Sequence, residues 1–441
     1  MTSEWKGIAT GVLVLVLCAS ATEAQTSTII VDPERGMTVD ELVELALGQS
    51  PDVLAARAAV DAERGHLEQA HARANPLVTV SWQEQQKGQD HQLTAGFEWP
   101  LARFRRQGRI AIAQREADVT SLAVQDHERL RASEVREQAG RVLAAARTAA
   151  ITEELLTLNR RSRDLLQARV RDGASPELEL NQVDVEVRRL EAQRAIQVGE
   201  AEAALVELKG LVGAAPDADL VLRDDLEQTV RAQALGDTPG PGTSAGLRET
   251  VAGRVDVRAA VARVELADAK IDQARREGRY DVSAFGSYSR MSLSFPLRGL
   301  TPDGRTAAIS DVFHYVTVGV TITPPLVSKN LGAIAAAEAD RRGAEQEAKA
   351  RELSARAELM AAQARDRAAR QAVELYRSGA RDLARRNLDV LRESYELGRN
   401  PLFDVFAEQR RYLDVESAYT DALTLAYQAR ITLLRALGEG Q

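Results

Sequence analysis

Few residues of this chain are typed and spaced for covalent chemistry. The histidines are His66, His71, His91, His127 and His314, and only the first two lie close together. Five residues apart on a helix, they point about 140° away from each other, so they read as surface side chains and no metal or cofactor is expected. The single cysteine, Cys18, lies near the amino terminus. That position excludes a disulfide framework, a cysteine-rich zinc site and a cysteine nucleophile in the body of the protein. No Ser-His-Asp arrangement with a supporting motif, no Walker loop and no G-x-G-x-x-G occurs, and the chain is not expected to be an enzyme. What recurs is a pair of carboxylates with matching surroundings. Glu179 follows Gly173-Ala-Ser-Pro176, and Asp404 follows Gly398-Arg-Asn-Pro401, each acid three residues after its proline. An acid at that spacing sits in the first turn of a helix, where it stabilises the positive end of the helix dipole.

The prolines show which elements must hold these two places, because a helix interior rarely tolerates one. Between Pro100 and Pro176 lie 75 proline-free residues, and between Pro176 and Pro216 lie 39. Between Pro325 and Pro401 there are again 75, and 40 more follow Pro401. Gly173 and Gly398 therefore turn a long helix back into a shorter one, as a helical hairpin written twice. Other matches agree with the duplication. Arg109-Ile110-Ala111 corresponds to Ala333-Ile334-Ala335, and "PDVLAARAAVDAERGHLEQA" from Pro51 resembles "VDVRAAVARVELADAKIDQA" from Val255. The offset falls from 225 at the turns to 204 at these starts, so the second copy carries about twenty extra residues before its long helix.

A helix of 75 residues would extend about 110 Å, longer than any globular domain needs, and belongs in a fibre, a bundle or a tube. The short helices carry heptad seams. Leu180, Val183, Val187, Leu190, Ala201, Ala204, Leu208 and Leu211 form one, interrupted at Arg194 and Gln197. Val405, Tyr412, Val415, Tyr419, Ala422, Ala426, Ala429 and Leu433 form the other, broken at Glu408. Aromatic residues are only 4% of the chain against 28% charged, which suits long helices better than a compact core. Lys and Arg number 57 against 65 Asp and Glu, a net charge of −8 that argues against a nucleic-acid partner.

The variable stretch between the helices has period two. Val78, Val80 and Trp82 alternate with Thr79 and Ser81, and Leu93, Ala95, Phe97 and Trp99 with Thr94, Gly96 and Glu98. In the second copy Val282, Ala284, Gly286 and Tyr288 share one face, though Phe285 interrupts the other, and Val316, Val318, Val320 and Ile322 repeat the pattern. Two hairpins are expected, one with a short turn at Lys87-Gly88-Gln89-Asp90 and one with a long loop from Arg298 to Ser310. The stretch from Ala214 to Gly246, with Pro239-Gly-Pro241-Gly, reads as the linker between copies.

Residues 1–24 read as a signal peptide. Lys6 precedes an apolar run from Ile8 to Ala19, too short to span a bilayer as a helix, and Ala19-Ser20-Ala21 and Thr22-Glu23-Ala24 are small-residue cleavage sites. Lipidation at Cys18 is the competing reading, set against by the large Leu17 just before it. No later apolar run reaches the ~20 residues of a transmembrane helix, so entry into a membrane would have to be as strands. Four strands cannot close a barrel, and lipid forbids an open sheet edge, so several copies would have to combine. A small sheet on the side of a soluble helical protein is the other reading of the same strands.

These residues resemble the TolC-type outer-membrane efflux and secretion channel family. The carriers are "YELGRNPLFDVFAEQRRYLDVESAY" from Tyr395, "RVRDGASPELELNQVDVEVRRLEAQRA" from Arg169, "PDVLAA" from Pro51 with "RVDVRAA" from Arg254, and "GAIAAAEADRR" from Gly332. The resemblance implies a mainly α fold with a small β part: internally duplicated, long antiparallel helical hairpins forming an α-barrel, plus four strands per chain in a trimeric twelve-stranded β-barrel. The implied plan is a first efflux repeat over 38–213, a linker or equatorial segment over 214–246 and a second repeat over 247–438. The homotrimer would sit in the outer membrane of a Gram-negative bacterium, with its helical part in the periplasm. Trp82, Trp99, Phe97 and Tyr288 would supply the aromatic belts against outer-membrane lipid.

The hairpin tips, Gly173 to Pro176 and Gly398 to Pro401, would form the periplasmic entrance and dock a periplasmic adaptor. The adaptor would join an inner-membrane pump, and several phrases look closest to the branch serving resistance-nodulation-division pumps. Asp404 matches an acidic position just inside that entrance and Glu179 is its counterpart, so both are expected at the aperture. A second acid one turn on would be usual, but Ala407 and then Glu408 stand there. Arg399 and Asn400 are placed to hold a closed tip by contacts between chains. The implied function is a passive duct exporting small toxic solutes, drugs or metal cations. The alternatives are a type I protein-secretion duct and, from another class, a periplasmic adaptor or structural coiled coil.

Overall fold

The computed structural model describes residues 30–86, 90–101, 103–235 and 244–438. The signal segment with Cys18, the Lys87-Gly88-Gln89 turn and the Pro239-Gly-Pro241-Gly stretch lie outside the described residues. Helices α1 (Val39–Gln49) and α2 (Pro51–His71) lead into strands β1 (Leu77–Glu84) and β2 (His91–Pro100), then α3 (Arg103–Arg171) and α4 (Glu177–Val212). After α5 (Leu226–Leu235) come α6 (Ser244–Gly253), α7 (Val255–Glu277), β3 (Asp281–Leu300), β4 (Thr306–Thr323), α8 (Leu331–Leu375), α9 (Arg381–Glu396) and α10 (Leu402–Leu437).

Local signals account for the boundaries. Thr38 and Glu41 form a reciprocal capping box that starts α1, and Pro51 at the first helical position starts α2. The returning helices of the two hairpins, α4 and α10, end on left-handed glycines, Gly213 at φ 81° and Gly438 at φ 82°. Helix α3 is continuous for 69 residues, about 100 Å. Its counterpart is not. A π turn at Tyr376–Ala380 separates α8 from α9, with Ser378 Oγ donating to the Glu374 carbonyl at 2.7 Å.

The wall is one layer of elements, thickened at mid-height by α1, α5 and α6. All four strands are antiparallel in the order β1-β2-β3-β4. Next to the sheet the helices pack in the order α2-α3-α7-α8, and toward the other end α4-α3-α10-α9. The heptad seams supply the packing: Val183, Val187 and Leu190 join Leu155, Leu156, Leu388, Leu402, Val405 and Tyr412 in a core at the tip end. A second core at mid-height gathers Leu42, Val142, Leu205, Leu208, Leu222, Tyr419 and Tyr427 from five segments. Arg194, a break in the first seam, pairs with Glu153 of α3, and buried Glu408, the break in the second, pairs with Arg411 at 3.2 Å.

One expectation from sequence is corrected. The long loop from Arg298 to Ser310 is instead a five-residue turn, Thr301–Arg305, because strand pairing continues to Leu300 and Thr306 past a bulge between Phe295 and Arg298. The bulge contains Pro296, whose missing N–H and the loss of alternation around it hid the strand. The stretch between the two copies begins as built structure. Leu222 bridges Val31 and Met37, the Val39 amide donates to Asp224 at 2.8 Å, and α5 follows. Gly36 is required there, since a Cβ would lie 2.3 Å from the Leu222 carbonyl carbon.

Candidate functional site

The two hairpin tips are the same structure at the level of single hydrogen bonds. At the first, the Gly173 amide donates to the Val170 carbonyl at 3.1 Å and the Ala174 amide to Arg169 at 2.8 Å. At the second, Gly398 donates to Tyr395 and Arg399 to Ser394, both at 2.9 Å. Both glycines have φ 73°, the left-handed geometry that ends a helix, and neither has an atom near the place a Cβ would take. Glycine is needed there for its backbone alone. Pro176 and Pro401 then cap the returning helices in extended conformation, and the amides of Glu179 and Asp404 each donate to their proline's carbonyl at 3.2 Å.

The two acids then diverge. The Tyr395 hydroxyl donates to Glu179 Oε2 at 3.3 Å, tying the α9 end to the α4 start within one protomer. Burial, and then the Glu179 charge, push the Tyr395 hydroxyl above its ordinary pKa, so it remains a donor. The Asp404 carboxylate is half-buried and has no hydrogen-bond or ion-pair partner among the described residues. Ser394 Oγ donates to Asn400 Oδ1 at 3.0 Å, which fixes the second tip's loop, whereas the exposed Arg399 side chain is unpaired among the described residues. A cleft of about 60 Å³ lies between the hairpins, lined by Asn159, Arg169, Arg392, Tyr395, Phe406 and Gln409 among others.

Higher up, the π turn stands beside a charged cluster that the sequence reading passed over. Fully buried Tyr419 lies against the guanidinium groups of Arg147 and Arg381, 5.4 and 5.2 Å from its ring centre. Arg381 donates to buried Glu416 at 2.7 Å, and Arg147 pairs with Glu227 of α5 at 3.1 Å. Burial, then Glu227, raise the Tyr419 pKa to about 12. The cluster joins α3, α5, α9 and α10 where the second long helix is irregular. Nothing marked Tyr419 in sequence except its heptad place, since its partners come from three distant segments.

At the sheet, register sorts the side chains by face. Val78, Val80 and Trp82 share a face with Leu93, Ala95, Phe97 and Trp99, with Ala284, Gly286 and Tyr288, and with Val316, Val318, Val320 and Ile322. Val316 and Val318 are 77% and 80% exposed, so this apolar face has nothing packed on it in one chain. The opposite face carries Thr79, Ser81, Thr94, Ser287, Ser289, Thr317 and Thr321. Trp99 lies near the helix end of the sheet, its Nε1 donating to the Ala74 carbonyl at 3.0 Å, and Trp82 lies near the other end, stacked on His91 at 5.2 Å. The Phe97 ring covers Gly286, and Tyr288 shares a 2.6 Å hydrogen bond with His314 Nδ1.

His66 pairs with Glu63 at 3.4 Å rather than with His71, and no group of three metal-ligating side chains gathers among the described residues. No described helix is long and apolar enough to cross a membrane.

Three solved structures share this architecture across their length. A membrane protein from Pseudomonas aeruginosa is 22% identical with a TM-score of 0.71, over 94% of this chain and 92% of its own. CusC, described in terms of transmembrane channel formation, is 18% identical with a TM-score of 0.72, over 92% and 93%. The open state of the Neisseria gonorrhoeae MtrE outer membrane channel is 16% identical with a TM-score of 0.71, over 94% and 91%. No curated protein sequence matches the chain. The outer membrane efflux protein family matches residues 42–214 and 246–439, most of the chain and both copies of the duplicated unit, and the protein belongs to that family.

Proposed function

We propose that three copies of this chain close into one duct, a twelve-stranded barrel in the outer membrane continued by a helical tube in the periplasm, through which small toxic solutes leave passively. One observation carries the reading: the wall is a single layer whose first and last elements, β1 and β4, α2 and α8, α4 and α9, are border elements at every height. A strand edge cannot stay open in lipid, and a head-to-tail contact between two different borders closes a ring by repetition. The helical borders also carry exposed apolar side chains, Leu178, Val185 and Ile196 on α4 and Leu383 and Val390 on α9 with Leu397 at its end, several of them seven residues apart. The apolar sheet face would then meet lipid and the Thr/Ser face the lumen.

The tips would form the periplasmic entrance and dock an adaptor, and through it an inner-membrane pump of the resistance-nodulation-division type that supplies the energy. Each chain would add Asp404 and Glu179 there. Threefold repetition concentrates their field at the constriction and favours cations. Asp404, with no partner inside the protomer, carries more of that field than Glu179, which already accepts a hydrogen bond. Planar-bilayer recording tests this. The wild-type channel is expected to be cation-selective, with Asp404→Asn lowering the cation-to-anion permeability ratio and Glu179→Gln lowering it less. Unchanged selectivity in Asp404→Asn contradicts the assignment.

A further inference from the structure

The apolar face of the sheet ends in a charge that the duct itself does not use. On β3 the outward positions run Val282, Ala284, Gly286, Tyr288 and then Arg290, and on β4 they run Ile322, Val320, Val318, Val316 and then His314. Pairing places Trp82, Leu93, Arg290 and His314 in one row across all four strands. From Val282 to Arg290 is about 26 Å along the strand, which at the usual tilt of a membrane barrel rises about 20 Å, most of the ~25 Å height of an apolar band. Beyond the row this face is mixed, with Ser292 and Ser294 on β3 and Val312 and Ser310 on β4. Arg290 is exposed and has no hydrogen-bond or ion-pair partner among the described residues.

A bare guanidinium on a lipid-facing strand is tolerated only near the headgroups, where its desolvation cost falls away. The row is therefore at headgroup height, and since the helices leave from the other end of the sheet, it belongs to the outer leaflet. A partner for Arg290 must be anionic, must accept two parallel hydrogen bonds and must stand at that height, which describes a lipid phosphate. His314 adds a second donor. In the tautomer that accepts the Tyr288 hydroxyl proton at Nδ1, the ring N–H is on Nε2, which has no partner among the described residues. Trp82, in the same row, anchors at the boundary between headgroup and acyl chain. Glu84, the one carboxylate nearby on this face, lies a row higher on β1, two strands from Arg290.

We propose that Arg290, with His314 beside it, binds the phosphate of an outer-leaflet lipid. The assignment rests on the reading of the sheet as part of a barrel in the outer membrane. The test is to titrate the detergent-solubilised protein with lipid A, with dephosphorylated lipid A and with inorganic phosphate, and to measure bound lipid by native mass spectrometry. Lipid A is expected to bind about five-fold more tightly than its dephosphorylated form, a preference lost in Arg290→Ala and kept in part by Arg290→Lys. Equal binding of the two lipids, a preference that survives Arg290→Ala, or full displacement of lipid by millimolar inorganic phosphate overturns it. A membrane-inserted trimer without the preference overturns this assignment alone. A chain that stays soluble without detergent overturns the barrel as well.

Discussion

Tyr395 and Glu179 join the two hairpin tips inside one protomer, and their bond is the side-chain contact most exposed to a single-atom test. Tyr395→Phe removes the hydroxyl and keeps the ring in its cleft. Losing a hydrogen bond to a charged acceptor costs about 1–2 kcal/mol, which would shift a closed-to-open population roughly five- to thirty-fold. Single-channel recording is expected to show longer or more frequent open periods for Tyr395→Phe, and identical gating would show that the bond does not restrain the tip. A second residue-scale prediction concerns acid. Burial pushes the Asp256 carboxyl up, but hydrogen bonds and charge from Arg254, with Arg351, outweigh it and hold the pKa at about 2. Glu358 shares Arg254 at 2.8 Å. A depressed carboxylate pKa stabilises the fold fully above its ordinary value of 3.8 and loses that contribution as pH falls toward 2. Asp256 is thus expected to contribute about 2 kcal/mol per chain that vanishes across this window. Melting of Asp256→Asn should lie below wild type at pH 6 and approach it near pH 2. A constant gap would remove Asp256 from the account.

Elements were legible wherever their cause was local. A left-handed glycine followed by a proline fixes a hairpin tip from four residues, and both tips are found as written, at Gly173 and Gly398. The heptads named Val183, Val187, Val405 and Tyr412, which are buried, because a seam is a property of spacing. What sequence did not show depends on distant partners or on broken patterns: the π turn at Tyr376, the guanidinium groups around Tyr419, the Tyr395 to Glu179 bond, and strand pairing carried past Pro296. The border helices give the element-scale prediction. Leu178 and Val185 of α4, Val390 of α9 and Leu397 at its end lie at similar distances from their tips and stay exposed in one chain. The sequence has no cysteine beyond Cys18, so introduced thiols report alone. Oxidation of Val185→Cys/Val390→Cys is expected to give a covalent three-chain ladder on a denaturing gel, and each single variant no ladder. A double variant that stays monomeric under oxidation would place these borders apart.

At the scale of the whole molecule, the chain is a wall of neighbouring elements with two open borders. The proposed ring would use the apolar strands, the border helices and the paired tips together. The central claim is the number of copies in that ring, and the most direct measurement is the mass and shape of the detergent-extracted particle from the outer-membrane fraction, by light scattering with negative-stain imaging. Three chains of at most 48.0 kDa each, in a cylinder well over 100 Å long, is the predicted result. A soluble, dimeric or filamentous particle would contradict it, leaving the four strands as a small sheet on a structural coiled-coil protein.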